Sequence, residues 1–191
     1  MIQVYLKFVK NYPLLSSAVQ ILLLGTFGEL LAVRIRMNKW HFFGPGPWRL
    51  IIKALVWAFL GITFKYAFVG FFGFVEALVH KGFWFENADT NLLVRAVSVS
   101  FFSNIIFGPV FMTFHRWTDN QIEKKEMDWK SLQKAWFTLI WFWIPAHTLT
   151  FSVPFDLQIG VLAVWTVILG TMLGYFARAK IEKDKLLENQ R

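Results

Sequence analysis

Five stretches of this chain are long and apolar enough to cross a lipid bilayer as helices, and this feature constrains the fold most. They cover residues 13–33, 54–79, 92–114, 135–153 and 157–177. A spanning helix needs about 20 mostly apolar residues. Lipid offers no partner to an unpaired backbone group, so such segments must be helical. The sequence therefore predicts an all-α integral membrane bundle, one transmembrane domain of five spans, with four spans as the fallback.

The composition agrees with a membrane protein and excludes several other classes. The chain is 56% hydrophobic and only 17% charged, and its 22 Phe and 10 Trp exceed what a small soluble core can bury. In a bilayer such residues face lipid or anchor the interface. The absence of cysteine excludes disulfides, thiolate zinc sites and iron–sulfur clusters. The basic residues lie between the apolar segments, so we predict membrane lipid and no nucleic acid as a partner.

The distribution of Lys and Arg predicts the orientation of the spans. With five crossings, three of these residues fall on the side of the N-terminus and fourteen on the side of the C-terminus. If the fourth segment were re-entrant, the tally would be eight against nine. Cytoplasmic loops carry the excess of Lys and Arg. We therefore expect the N-terminus outside and the C-terminus inside, in the cytoplasm or the mitochondrial matrix.

Two polar segments flank the later spans. Residues 115–134 alternate acidic and basic side chains with large apolar ones, a pattern typical of an amphipathic helix lying in the membrane interface. A solvated loop is the alternative. Residues 178–191 predict a short charged C-terminal tail.

Polar side chains within the spans are the candidates for function, because charge in hydrocarbon is costly and such residues face the bundle or a water path. We expect Glu29 to pair with Lys65, or otherwise with Lys53, and Glu76 to pair with Arg95. Whether these pairs lock helices together or form a polar pathway is left open by the sequence. The full set of intramembrane polar candidates is Glu29, Lys65, Glu76, Arg95, Asn104, His147 and Thr150.

Small residues and prolines predict where helices touch and bend. Close backbone contact between membrane helices favours small residues, which marks Gly25, Gly28, Gly170 and Gly174 as packing positions. Pro109 and Pro145 should bend their helices and free backbone carbonyls. Irregular backbone at depth is tolerated only inside protein or beside a cavity.

No catalytic, cofactor or metal motif occurs in the sequence. The four histidines are each more than thirty residues apart, and no HExxH, GxSxG, P-loop or GxGxxG pattern is present. A membrane enzyme would need several reactive side chains at one depth. We therefore predict no catalytic residues, no cofactor and no metal.

The chain resembles the Mpv-seventeen and twenty-two-kilodalton peroxisomal membrane protein family over nearly its whole length. The family begins with an aromatic-Leu stretch, a Tyr/His-Pro-Leu-Leu-Thr motif and a Gly-x-x-Gly-Asp in its first span. The matching residues here are Tyr5-Leu6-Lys7-Phe8, Asn11-Tyr12-Pro13-Leu14-Leu15-Ser16-Ser17, Gly25-Thr26-Phe27-Gly28-Glu29, Gly61-Ile62-Thr63-Phe64-Lys65-Tyr66, Ser103-Asn104, Pro109, Trp129, Ile144-Pro145-Ala146-His147 and Thr150-Phe151-Ser152-Val153-Pro154.

The resemblance implies a small helical bundle of the peroxisomal, mitochondrial inner or a related membrane, with channel activity and no catalytic residues. A bacterial relative would lie in the cytoplasmic membrane. Our leading hypothesis is a non-enzymatic pore for small solutes or ions. The alternative is an accessory or scaffold subunit that binds lipid, other membrane subunits or a second copy of itself through its glycine and aromatic faces.

Overall fold

A computed structural model describes residues 2–40 and 47–188, and every regular element in these two ranges is helical. Eight α-helices follow one another along the chain. They are α1 (Ile2–Asn11), α2 (Pro13–Met37), α3 (Trp48–His80), α4 (Leu92–Phe102), α5 (Gly108–Glu123), α6 (Trp129–Thr138), α7 (Ile144–Ser152) and α8 (Gln158–Glu188). Single 3₁₀ turns lie at Glu86–Ala88 and Phe155–Leu157.

Four helical stretches among the described residues are long and apolar enough to cross a membrane. They are Pro13–Met37, Trp48–His80, Leu92–Glu123 and Phe155–Ala179. The expected all-α architecture is confirmed for the described residues, and these four helices are consistent with a membrane location. The helices run further than the apolar segments of the sequence, since α3 begins six residues earlier and α5 continues to Glu123. Polar residues at these ends extend a helix that apolar residues begin.

The separate interfacial helix expected at residues 115–134 is absent from the structure. Residues 115–123 are the last part of α5, which ends at Lys124 with a left-handed backbone (φ 55°). Asp128 then caps α6 by accepting from the Ser131 N–H. The pattern of alternating charges thus belongs to the ends of two long helices and the short turn between them.

The expected C-terminal tail is likewise part of a helix. α8 continues as far as Glu188, and residues 189–191 lie outside the described part of the chain. An N-terminal helix that the sequence did not predict, α1, folds back beside α2. The Tyr5 hydroxyl donates to Gln20 Oε1 at 2.9 Å, and Lys10 lies 3.6 Å from Asp156.

Glycine contacts define the directions in which the long helices run. A Cβ on Gly61 would lie 2.5 Å from the Ser17 carbonyl oxygen, and one on Gly25 would overlap the Trp57 ring at 2.5 Å. These contacts make α2 and α3 antiparallel. A Cβ on Gly170 would lie 2.6 Å from the carbonyl oxygen of Gly28.

One helical turn further along α8, a Cβ on Gly174 would lie 2.7 Å from the Ala32 carbonyl oxygen. Advancing along α2 therefore means advancing along α8, and these two helices run parallel. Only glycine allows two backbones to come this close. Of the four glycines singled out in the sequence, Gly28, Gly170 and Gly174 lie at such backbone contacts, and Gly25 lies against the Trp57 ring.

Two π-helical turns interrupt the helices in the second half of the bundle. They cover Ser103–Phe107 and Leu139–Trp143, and each precedes a proline, Pro109 or Pro145. The Gly108 N–H donates to the Ser103 carbonyl and the Ile144 N–H to the Leu139 carbonyl, in each case five residues back. Proline lacks an N–H and its ring collides with the carbonyl four residues earlier. The wider turn accommodates that ring.

Candidate functional site

The ends of three long helices form a cluster of charged side chains around Lys53. The Lys53 Nζ lies 3.2 Å from Glu29 Oε2, 2.9 Å from Asp119 Oδ1 and 2.9 Å from Glu123 Oε1. Lys53 is only 3% exposed, while the three carboxylates are about one-fifth exposed. Glu29 belongs to α2, Lys53 to α3 and the other two to α5. One ammonium group thus ties three helices together.

Two aromatic residues complete this charged cluster. The Trp57 indole N–H donates to Glu29 Oε1 at 3.0 Å. The His115 Nε2 lies 3.4 Å from Glu29 Oε1 and 3.9 Å from Asp119 Oδ2. The Trp57 and His115 rings lie 4.4 Å apart between centroids. Each oxygen of Glu29 therefore faces a donor, as a carboxylate within a helix bundle requires.

The spacing along α5 explains why this cluster forms. His115, Asp119 and Glu123 are four residues apart, so they lie on one face of the helix. That spacing was a readable signal in the sequence. It was missed because residues 115–134 were treated as separate from the third span, which placed these three side chains outside the bundle.

The expected Glu29–Lys65 pair does not form, and the alternative Glu29–Lys53 pair does. Gly61 meets Ser17 across the antiparallel α2 and α3. Moving twelve residues along α2 from Ser17 to Glu29 therefore means moving back along α3 toward Lys53. The prediction aligned the middles of the two apolar segments, which placed Glu29 near Lys65. The observed register is fixed by the contact between Gly61 and Ser17, and it places Glu29 beside Lys53.

The other expected pair, Glu76 with Arg95, is also wrong. Glu76 is exposed, and no ion pair joins it to Arg95 within the described residues. Lys65 instead lies over the Phe155 ring, with Nζ 3.7 Å from the centroid. This is a cation–π contact.

Glu29, His115 and Asp119 also have the spacing of metal ligands. One donor atom from each lies within 4.8 Å of the others, although the sequence predicted no metal. Lys53 already lies at hydrogen-bond distance from two of these residues. Its ammonium group provides the positive charge that a cation would otherwise bring. The arrangement is therefore explained by the lysine alone.

A second polar cluster lies between the two π-helical turns. The Asn104 Nδ2 donates to the Ser100 carbonyl at 2.8 Å and lies 3.0 Å from His147 Nδ1. The Ser100 hydroxyl donates to the Ile144 carbonyl at 2.7 Å. Thr150, also buried, donates to the Ala146 carbonyl at 2.9 Å. Asn104, His147 and the backbone beside Pro145 are thus brought together.

These contacts determine which histidine nitrogen carries the proton. A backbone carbonyl only accepts, so the Asn104 atom facing Ser100 must be its NH₂ group. The same NH₂ group faces His147 Nδ1, which must then be the acceptor. In a neutral imidazole the other nitrogen carries the proton. His147 therefore presents Nε2–H as a donor.

That donor and one acceptor remain without a partner. His147 Nε2 and Asn104 Oδ1 are buried and have no hydrogen-bond partner within the described residues. His147 is 8% exposed and Asn104 1%. Both residues line a cavity of about 30 Å³ whose accessible wall is apolar. The unpaired donor and acceptor therefore belong to residues that line this cavity, and both atoms are buried.

A column of aromatic rings joins the two clusters. The centroid distances are 6.1 Å from His115 to Phe111, 4.6 Å from Phe111 to Phe64, 6.2 Å from Phe64 to Phe68, and 6.2 Å from Phe68 to His147. Three of these rings, Phe64, Phe68 and Phe111, also line the cavity beside His147. Packed aromatic rings therefore fill the interior between the two clusters.

No family model matches this chain, and neither a curated protein nor a solved structure matches it. The resemblance to the Mpv-seventeen family therefore stays a prediction. Function is argued below from the geometry of the two clusters.

We predict that Lys53→Met destabilises the protein by about 3–5 kcal/mol, because it leaves three carboxylates together without their cation. Glu29→Gln should then cost less in the Lys53→Met background than in the native chain, with a coupling of about 1 kcal/mol or more. The free energy of unfolding in detergent micelles measures both effects.

Lys65→Met provides the matched control, since it removes a buried lysine from the same helix. Its effect should add to that of Glu29→Gln within about 0.5 kcal/mol. Coupling of Glu29 to Lys65, with none to Lys53, would contradict the register described above.

Proposed function

We propose that this chain is a non-enzymatic membrane protein that conducts small ions or solutes of about water size through its helix bundle. One observation carries the proposal. His147 and Asn104, both almost completely buried, each keep an unpaired polar atom, and both residues line the same small cavity. Unpaired buried polar groups are destabilising, and in membrane proteins they mark ion, proton or solute paths.

The arrangement of the interior suggests the route and its limits. The path would run from the Lys53 cluster past Phe111, Phe64 and Phe68 to His147. A cavity of about 30 Å³ suits water, protons and small ions better than sugars or metabolites. Opening the path would require the rings of Phe64, Phe68 and Phe111 to move, two of which are buried.

The contacts of the reactive side chains favour conduction over catalysis. Glu29, Asp119 and Glu123 are bound to Lys53, and His147 Nδ1 to Asn104. A general acid or base must reach a substrate proton directly or through one water. The 30 Å³ cavity beside His147 is too small for an organic substrate.

An accessory or scaffold subunit is a second candidate, favoured by one face of α3. Gly70 and Gly73 are exposed, and a Cβ on either would meet nothing within 4 Å. Tyr66 and Val69 on the same helix are 62% and 56% exposed. This face could receive a helix from another membrane subunit or from a second copy.

We further propose five crossings with the N-terminus outside. α3 runs antiparallel to α2, whereas α8 runs parallel to it. If α4 and α5 together cross once in the direction of α2, one more segment must cross back before α8 begins. Residues 129–152 form a continuous helical run between α5 and α8, available as the additional crossing. The fourteen basic residues on one side would then face the cytoplasm or matrix. By resemblance, the membrane would be mitochondrial inner or peroxisomal, or cytoplasmic in a bacterium.

Liposomes containing the purified protein should dissipate an imposed proton or potassium gradient faster than protein-free liposomes. His147→Phe and Asn104→Leu should each reduce this flux about tenfold, because each removes an unpaired polar atom from a residue that lines the cavity. Flux is measured with a trapped pH dye or a potassium electrode.

Thr148→Val is the matched control, because Thr148 follows His147 on α7 but donates only to the Ile144 carbonyl. Its flux should equal that of the native protein. Native protein that gives no more flux than empty liposomes, for protons, ions and a panel of small solutes alike, would contradict conduction and favour the scaffold function.

Single cysteines test the orientation, since the native chain has none. At the exposed positions Asn38, Glu126 and Ala179, cysteine should be shielded from an impermeant thiol reagent added outside, whereas Asn87→Cys should react. Ala179 is decisive for the number of crossings. Reaction of Ala179→Cys from outside, together with Asn87→Cys, would show that residues 129–152 do not cross.

A further inference from the structure

An apolar groove on the outer surface of the bundle lies apart from both polar clusters. It has a volume of about 530 Å³ and is lined by Pro109, Val110, Thr113, Phe114, Trp117 and Trp136. This volume lies within the usual range of ligand sites. The groove follows α5 from Pro109 to Trp117, and Trp136 of α6 forms its other wall.

One residue that lines this groove has a polar group without a partner. The Trp136 Nε1 is buried and lacks a hydrogen-bond acceptor within the described residues. A buried indole N–H normally finds an acceptor. The Thr113 hydroxyl donates to the Pro109 carbonyl, so it leaves the apolar character of the wall intact. An occupant of the groove should therefore be apolar along most of its length and offer one acceptor.

The position of the groove indicates where that acceptor lies in the membrane. Exposed tryptophans mark this end of the bundle, since Trp48, Trp117 and Trp129 are 72%, 50% and 59% exposed. Tryptophan concentrates at membrane interfaces. Helical side chains point toward the N-terminus of their helix. The Trp136 indole therefore points toward the tryptophan-rich end, where the ester carbonyls of phospholipids lie.

The charge around this end selects the headgroup. Two carboxylates of the region, Asp119 and Glu123, are bound to Lys53. The exposed carboxylates are then Glu126 and Asp128, the latter capping α6. Exposed basic residues outnumber them and are Arg116, Lys124, Lys125, Lys130 and Lys134, of which Lys125 is ion-paired with Glu123. Such a basic rim attracts anionic lipid.

We propose that this groove binds an anionic glycerophospholipid. One acyl chain lies along the wall formed by Pro109, Val110, Thr113 and Phe114. An ester carbonyl accepts from the Trp136 N–H, and the headgroup lies at the basic rim. The site does not depend on the proposed conduction. It binds one lipid specifically, unlike the lipids that surround the bundle without specific contacts.

Native mass spectrometry of the full chain in detergent tests the site with phosphatidylglycerol and phosphatidylcholine of identical acyl chains. We expect the native protein to bind one phosphatidylglycerol several-fold more tightly than phosphatidylcholine. Trp136→Phe keeps the ring and removes the N–H, so it should weaken binding of both lipids about fivefold, as expected for one hydrogen bond. Trp141→Phe, at an indole that is 57% exposed outside the groove, should change nothing.

A groove-filling variant keeps the proposal testable by a second route. Val110 is 65% exposed, so Val110→Trp should fill the groove without disturbing the core and should abolish the single adduct. Val69→Trp, at 56% exposure on α3, is its control. Native affinity in Val110→Trp, no effect of Trp136→Phe beyond that of Trp141→Phe, or equal binding of the two lipids would each overturn the proposal.

Discussion

The ion pairs of the Lys53 ammonium group hold together the end of the bundle where α2, α3 and α5 meet. Hydrocarbon supplies neither a counter-ion nor a hydrogen bond, so a carboxylate within it must find both in the protein. Lys53 provides them for Glu29, Asp119 and Glu123 at 2.9–3.2 Å. Because these residues lie on three helices, satisfying the charges also fixes how α2, α3 and α5 meet. Glycine contacts then set the spacing, with Gly61 against Ser17 and Gly28 against Gly170.

The second half of the bundle satisfies its polar groups differently. Pro109 and Pro145 each follow a π-helical turn, and the Ile144 carbonyl accepts from Ser100 of α4. π-Helical turns are frequent at functional sites. Here Asn104 lies in the first turn and His147 follows the second, and each of these residues keeps one buried atom without a partner within the described residues. The structure thus combines a cluster of ion pairs around Lys53, which joins three helices, with a neutral cluster of Asn104, His147 and Ser100.

Much of the fold could be predicted from the sequence because the bilayer allows few solutions. Apolar length alone identified the helices that could cross, and glycine, asparagine and histidine were selected as inward-facing. Register could not be predicted in the same way. Glu29 was assigned to Lys65 because both lie within apolar segments, but the actual partner depends on where Gly61 meets Ser17. Lys53 and Lys65 are twelve residues apart on α3, so the register decides which of them meets Glu29, and apolar segments carry no signal that fixes the register.

The ends of the helices were the other source of error. Residues 115–123 contain enough charge to look like a surface segment, yet they continue α5 and supply three members of the Lys53 cluster. Charged residues along one face of a helix can be buried against side chains of opposite charge. Only the three-dimensional arrangement shows whether they are. The helix α1 was missed for a related reason, since its ten residues are too few to cross a membrane.

The central claim is that His147 carries its proton on Nε2 and that water reaches this proton along the proposed path. Solid-state NMR of the protein with ¹⁵N-labelled histidine, reconstituted in lipid bilayers, tests this most directly. The account predicts a neutral ring with Nε2 protonated and Nδ1 unprotonated, and magnetisation transfer from water to the Nε2 proton. A ring protonated on Nδ1, or an Nε2 proton with no contact to water, would contradict it.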